Sequence, residues 1–158
     1  MKNEKNSRLL VGVLSLGIIV VLLVSCMTAK KKAELANNKP LVDTYWLLVS
    51  VKGEPVPQDF IQPTMTFGSD GRYFGNLGCN SFFGTYFKKG KNGIKMEYAG
   101  ATKRLCQNMK TEKMYLNGLH NDFKTYEIHK DTLILKDKQG EVMRFLAGTK
   151  PEVQKEGE

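Results

Sequence analysis

The sequence predicts an α+β domain: a curved antiparallel β-meander with one amphipathic helix packed against it. Between residues 41 and 148 apolar residues recur mostly with a period of two, and turn-forming residues separate the runs. A single segment repeats at three and four residues instead. The 158-residue length and 41% hydrophobic content suit one domain with short appendages and exclude a wholly disordered chain.

The first appendage has the form of an export signal. Lys2, Lys5 and Arg8 precede Leu9 to Val24, a run built only from Leu, Val, Ile, Gly and one Ser. A comfortable bilayer span needs about 20 residues, so the run is short for a permanent helix. Leu23-Val24-Ser25-Cys26 then resembles the lipobox of bacterial lipoproteins. That resemblance implies removal of residues 1–25, diacylglycerol on the Cys26 thiol and acylation of the new amino terminus, as by palmitate. One chain alone anchors marginally; three hold firmly. Residues 26–40 are polar and without sustained periodicity, and read as the lipidated cysteine and a flexible tether. Lys30 to Lys32 within it either rest on anionic headgroups or are simply solvated.

The core elements follow in order. Trp46 to Val49 is apolar on both faces and so belongs in the middle of a sheet. Thr64 to Phe67, Arg72 to Asn76 and Phe82 to Lys88 read as strands. Ile94, Met96 and Tyr98 alternate with Lys95 and Glu97, as on a half-buried strand. Asp70-Gly71, Asn92-Gly93 and Asp137 to Gly140 supply residues that accept positive φ at tight turns. From Asn108 to Lys124, Tyr115, Leu116, Leu119 and Phe123 fall on one helical stripe. Asn108 or Thr111 is placed to cap that helix, and Glu112 suits the positive end of its dipole. Thr125 to His129, Thr132 to Lys136 and Glu141 to Leu146 complete the strands, and residues 149–158 form a polar tail.

Several segments together resemble the META domain, the family that includes the bacterial heat-shock protein HslJ. They are Trp46-Leu47-Leu48, Pro63 to Phe67, Gly71-Arg72, Gly78 to Tyr86, Ala101 to Cys106, Glu112, Leu119 and Leu133-Ile134-Leu135. The most specific are Gly78-Cys79-Asn80 with Phe82, Gly84 and Tyr86, and Thr102 with Cys106. The resemblance runs from about residue 43 to 147, nearly the whole domain read as 41–148, agrees with the antiparallel α+β reading, and implies an exported or membrane-anchored protein. It implies no catalytic residue, cofactor or substrate.

Three cysteines are an odd number until Cys26 is assigned to lipid. Cys79 and Cys106 then remain as a pair in an oxidising compartment. Two readings stay open: a disulfide, or two buried thiols packed as small apolar groups. Cys79 with His120 or His129 would be the materials of a thiol nucleophile and base, but both histidines fall among surface residues. Asn80 and Thr102 read as turn residues bonding nearby backbone. Gly75, Gly78 and Gly84 precede no helix, so they suit bulges or close approach in curved strands better than phosphate binding.

No metal, cofactor or catalytic group is therefore expected. The net charge is +8, and removal of residues 1–25 leaves 21 Lys+Arg against 15 Asp+Glu. Export removes nucleic acid as the natural partner of that charge, and Phe82, Phe83, Tyr86 and Phe87 at strand spacing read as core. The expected partners are the membrane through Cys26 and an envelope protein or anionic envelope component. Met27 is not the Asp that retains lipoproteins in the inner membrane, so the outer membrane, facing the periplasm, is expected. The function so read is a non-catalytic binding or envelope-integrity module. The alternatives are a periplasmic thiol/disulfide-dependent enzyme on Cys79 and Cys106, or a hydrolase-inhibitor-like domain that presents loops.

Overall fold

The structure, a computed structural model, describes residues 37–57, 61–106 and 109–151. Nine strands and one helix lie among them: β1 Tyr45–Val51, β2 Glu54–Pro55, β3 Thr64–Phe67, β4 Arg72–Asn76, β5 Ser81–Lys89, β6 Gly93–Ala101, α1 Lys110–Leu119, β7 Thr125–His129, β8 Thr132–Lys136 and β9 Glu141–Gly148. Cys26, the signal, most of the tether and residues 152–158 fall outside the described residues.

All strand pairings are antiparallel, and each strand from β3 to β9 pairs with the next. Periodicity did not foretell that β1 pairs with both β3 and β9. The sheet thereby closes into a barrel, with β2 as an outlying ribbon on β1. Closure removes the exposed strand edges that an open meander would present. Its weakest seam is β6–β7, where only Gly93 and Thr125 are registered. Ile94 N–H to Lys124 O and Tyr126 N–H to Asn92 O support it.

Trp46, Leu48, Met65, Phe67, Tyr73, Leu133, Leu135 and Phe145 fill the interior. Aromatic edges set the packing: Phe67 meets Tyr86 edge-on at 5.0 Å, and Phe82 meets Tyr115 likewise at 5.2 Å. The Trp46 indole N–H donates to Leu41 O at 3.1 Å, so its polar edge is satisfied inside the core. Leu47 and Val49, on the other face of β1, are half-buried.

The helix is shorter than its apolar stripe suggested. It has ten residues, starts after Met109 with no side-chain cap, and holds Thr111 inside its first turn. Asn108 lies outside the described residues. Asn121 explains the early stop: its Nδ2 donates to Asn117 O and Gly118 O, both at 2.8 Å, taking carbonyls that the next turn would use. Phe123 is still buried, carried inward by the turn after α1. Tyr115 touches Phe82 and Phe145 and donates to Thr64 O at 3.1 Å, so α1 meets β3, β5 and β9 and closes one end of the barrel.

Two other expectations change. In the β5–β6 turn the positive φ belongs to Gly90 (59°), while Gly93 already begins β6. A Cβ on Gly93 would lie 2.3 Å from Lys89 O, so this position needs glycine for close approach. Asn38 and Lys39, read as tether, are bound to the domain: Asn38 Nδ2 donates to Ile128 O at 2.7 Å and Lys39 N–H to Lys130 O at 2.7 Å. Strand directions put this junction, the β3–β4 turn and the β5–β6 turn at the end opposite α1.

Candidate functional site

The two motif segments meet beside α1. Gly78, with φ +106°, turns the chain after β4 and delivers Cys79 and Asn80 to the α1 end. Residues 102–106 return past them after β6. Cys79 and Cys106 are joined by a disulfide with Cα atoms 6.4 Å apart, which resolves the choice left open between a bond and two buried thiols. Cys79 is buried and Cys106 is exposed.

Asn80 is the centre of the arrangement. It is 1% exposed, and Glu112, in the first turn of α1, is 6% exposed. Asn80 Nδ2 donates to the Glu112 carboxylate and to Arg104 O, each at 3.0 Å. Its Oδ1 accepts from the Thr102 hydroxyl at 2.8 Å and from Arg104 N–H at 2.7 Å. An amide has two donors and two acceptor sites, so this side chain is fully used. Asn80 N–H adds a bond to Glu112 Oε2 at 3.1 Å, and Ser81 N–H donates to Thr102 Oγ1 at 3.1 Å. Arg104 closes the circuit by donating its guanidinium to Cys79 O.

Asn80 and Thr102 are therefore not local turn residues: their partners are 21 to 32 positions away. Glu112 was legible as a dipole residue and as part of the family resemblance, but its role as the carboxylate that receives Asn80 was missed. Arg104 was missed as well. No spacing signal joins residues so far apart. The remaining motif residues point down β5 into the core. Phe82 packs on Tyr73 and Tyr115, and Tyr86 donates its hydroxyl to Gly68 O at 2.8 Å. Gly84 sits at the β5–β6 bulge, where a Cβ would fall 2.3 Å from Glu97 O.

Two hollows flank the 102–106 segment. One, of about 390 Å³, lies toward Pro57, Ile61 and Leu77. The other, of about 450 Å³, lies toward Tyr98, Met109 and Leu116. Arg104, Leu105 and Glu112 border both. Leu105 is 98% exposed and Ile61 67% exposed, so the rim presents apolar side chains to solvent beside a guanidinium. Such a surface can bind an apolar or amphipathic group. As a disulfide, Cys79 and Cys106 offer no thiolate. His120 stacks edge-on against Tyr98 at 5.1 Å, and His129 lies 3.5 Å from Glu127 on β7. Among the described residues no group of three His, Cys, Asp or Glu is placed to hold a metal.

A profile of the META domain matches residues 39–150. No curated protein matches the chain. Two solved structures are similar. An NMR structure of a protein from Burkholderia xenovorans is 24% identical, with a TM-score of 0.51 over 70% of this chain and 85% of its own. A second NMR structure is 20% identical, with a TM-score of 0.49 over 66% and 88%. The first of these likenesses bears on the fold alone.

Proposed function

The chain belongs to the META domain family, and from that premise we propose that it is a lipid-anchored module of the bacterial cell envelope that binds a partner without catalysing a reaction. The observation that carries the location is the Cys79–Cys106 bond, since disulfides persist in oxidising compartments and are rare in the cytosol. Leu23 to Cys26 supplies the anchor, and the polar stretch after Cys26 the tether. Met27 directs the lipidated chain to the outer membrane, with the domain in the periplasm. Among the described residues no helix is long and apolar enough to cross a membrane.

The partner site is the rim at the α1 end, where Leu105 and Ile61 are exposed beside Arg104. The Asn80 network and the disulfide hold the 102–106 segment in place, so the rim is preorganised before it meets a ligand. Globomycin should block processing of the precursor, and Cys26→Ala should release the protein from the membrane fraction. Processing indifferent to both would remove the anchor. A photo-crosslinking residue at position 105 should capture a partner in cells, and one at Thr85 should not. Equal capture at the two positions would remove the rim as the site.

A further inference from the structure

A second surface runs along the outside of β4 and β5, from the level of α1 down to the β5–β6 turn. Alternation along β5 turns Phe82, Gly84 and Tyr86 inward and Ser81, Phe83, Thr85 and Phe87 outward. Of the aromatics expected in the core, Phe83 and Phe87 are therefore on the surface, 58% and 55% exposed, and Phe74 on β4 is 50% exposed. Phe74 and Phe83 are direct cross-strand partners, so the three rings make one outward stripe and not scattered singles. The stripe leads into the β5–β6 turn, where Lys88, Lys89 and Lys91 are all exposed and no acidic residue falls between Phe87 and Gly93. Farther along the face the cations are already matched, Arg72 by Asp70 and Lys95 by Glu97, each at 2.6 Å.

We propose that this face docks on the anionic phospholipid surface that carries the anchor, with Phe74, Phe83 and Phe87 in the interfacial layer and Lys88, Lys89 and Lys91 against headgroup phosphates. The proposal rests on the lipid-anchor reading, and where the folded chain begins supports it. Asn38 and Lys39 are bonded to the β7–β8 turn, and Tyr126 of β7 bonds Asn92 of the β5–β6 turn. Four strand residues separate Tyr126 from Lys130, about 13 Å at 3.3 Å per residue. The stretch from Cys26 to Asn38 reaches about 40 Å when fully extended. It covers the shorter distance with slack. The α1 end, with its own apolar rim, lies farther by roughly the nine-residue length of β5, about 30 Å. Bringing that end to the membrane would take about 43 Å, the whole extended reach of the tether. Docking side-on through β4–β5 instead needs only the shorter distance and leaves the α1 rim beside the bilayer, not against it.

The test uses the full chain reconstituted in lipid nanodiscs, with Phe83→Trp as reporter, the unsubstituted chain as the Trp46 background and Leu146→Trp, exposed on β9 across the barrel, as the opposite-face control. With brominated phosphatidylglycerol, the tryptophan at 83 should be quenched and the one at 146 should not. Each lysine near an anionic surface favours contact about fivefold. Lys88→Glu with Lys89→Glu and Lys91→Glu, or high salt, should therefore abolish the quenching. Phe87→Trp gives the same readout should Phe83→Trp fail to fold. A tryptophan at 83 or 87 that is unquenched in lipidated protein overturns the docking, and so does quenching equal to that at 146. Equal quenching in phosphatidylcholine discs overturns the headgroup assignment. Mass spectrometry of the same sample reads the anchor separately: quenching in a chain without diacylglycerol upholds the docking while the anchor reading fails.

Discussion

Asn80→Ala is the most informative single perturbation of the α1 end. It deletes the Nδ2 bonds to Glu112 and Arg104 O and the Oδ1 bonds from Thr102 and Arg104, while Asn80 N–H still reaches Glu112. A hydrogen bond to a buried charge contributes about 1.5–3 kcal/mol, and neutral bonds about 0.5–1.5 kcal/mol each. Thr102 and Arg104 are exposed, so water replaces part of their loss. Glu112 is not, and its carboxylate keeps one donor where it had two. The expected total is about 3–4 kcal/mol, a large part of a typical domain stability of about 5–15 kcal/mol. Urea unfolding followed by Trp46, which is wholly buried, reads the change directly. With a slope near 1.5 kcal/mol per molar urea, the midpoint should fall by about 2 M at unchanged slope. Glu112→Ala should cost a similar amount, and the double variant less than the sum, with a coupling of at least about 1 kcal/mol. A midpoint shift below about 0.5 M, or additive variants, would mean that the network seen around Asn80 does not hold the 102–106 segment.

The disulfide closes a loop across a separation of 27 residues, so Cys79→Ser with Cys106→Ser should lower stability by about 3.5 kcal/mol. Thiol titration of unreduced, unfolded protein should find neither cysteine free; two free thiols would contradict the bond. Gly84→Ala should destabilise by about 3 kcal/mol or prevent folding, because its Cβ would meet Glu97 O at 2.3 Å and the Tyr73 ring at 2.6 Å. Gly100→Ala, whose nearest atom lies 3.8 Å away, should cost under about 1 kcal/mol, and similar losses at both positions would refute the close-approach account. Tyr73 Oη is buried without a hydrogen-bond partner among the described residues, whereas Tyr115 donates to Thr64 O. Tyr73→Phe should therefore be neutral or stabilising and Tyr115→Phe should cost about 1 kcal/mol, as measured by urea midpoints. Burial pushes both phenols above their ordinary value of 10.0. The folded state then holds protons that the unfolded state releases, so stability is intact below pH 10.0 and falls above it. Tyr73→Phe should flatten that decline in urea midpoints measured against pH.

Local spacing made most of the fold legible. The ranges read for β3, β4, β7 and β8 coincide with the observed strands, because each is a short run bounded by residues that turn the chain. Tyr115, Leu119 and Phe123 were legible as one buried stripe for the same reason, even though α1 stops before the last of them. The end of α1 was not, since it depends on one Asn side chain competing for carbonyls that any later residue of the helix would otherwise use. At the site, the motif residues were visible as a set, but the bonds among them were not. Asn80, Thr102, Arg104 and Glu112 converge only once β5, β6 and α1 are packed.

Local pattern alone determined which residues alternate and where the chain turns. These follow from periods and compositions that need no partner segment. Only the tertiary structure decided that β1 closes the barrel on β9, that Asn80 receives Glu112 across 32 residues, and which face of β5 is inside. A period of two is symmetric about the strand: Phe82 and Tyr86 on one face, and Phe83 and Phe87 on the other, are equally apolar as a pattern. Pairing with β4 and β6 and the close approach at Gly84 break that symmetry, sending one aromatic pair into the core and leaving the other at the surface.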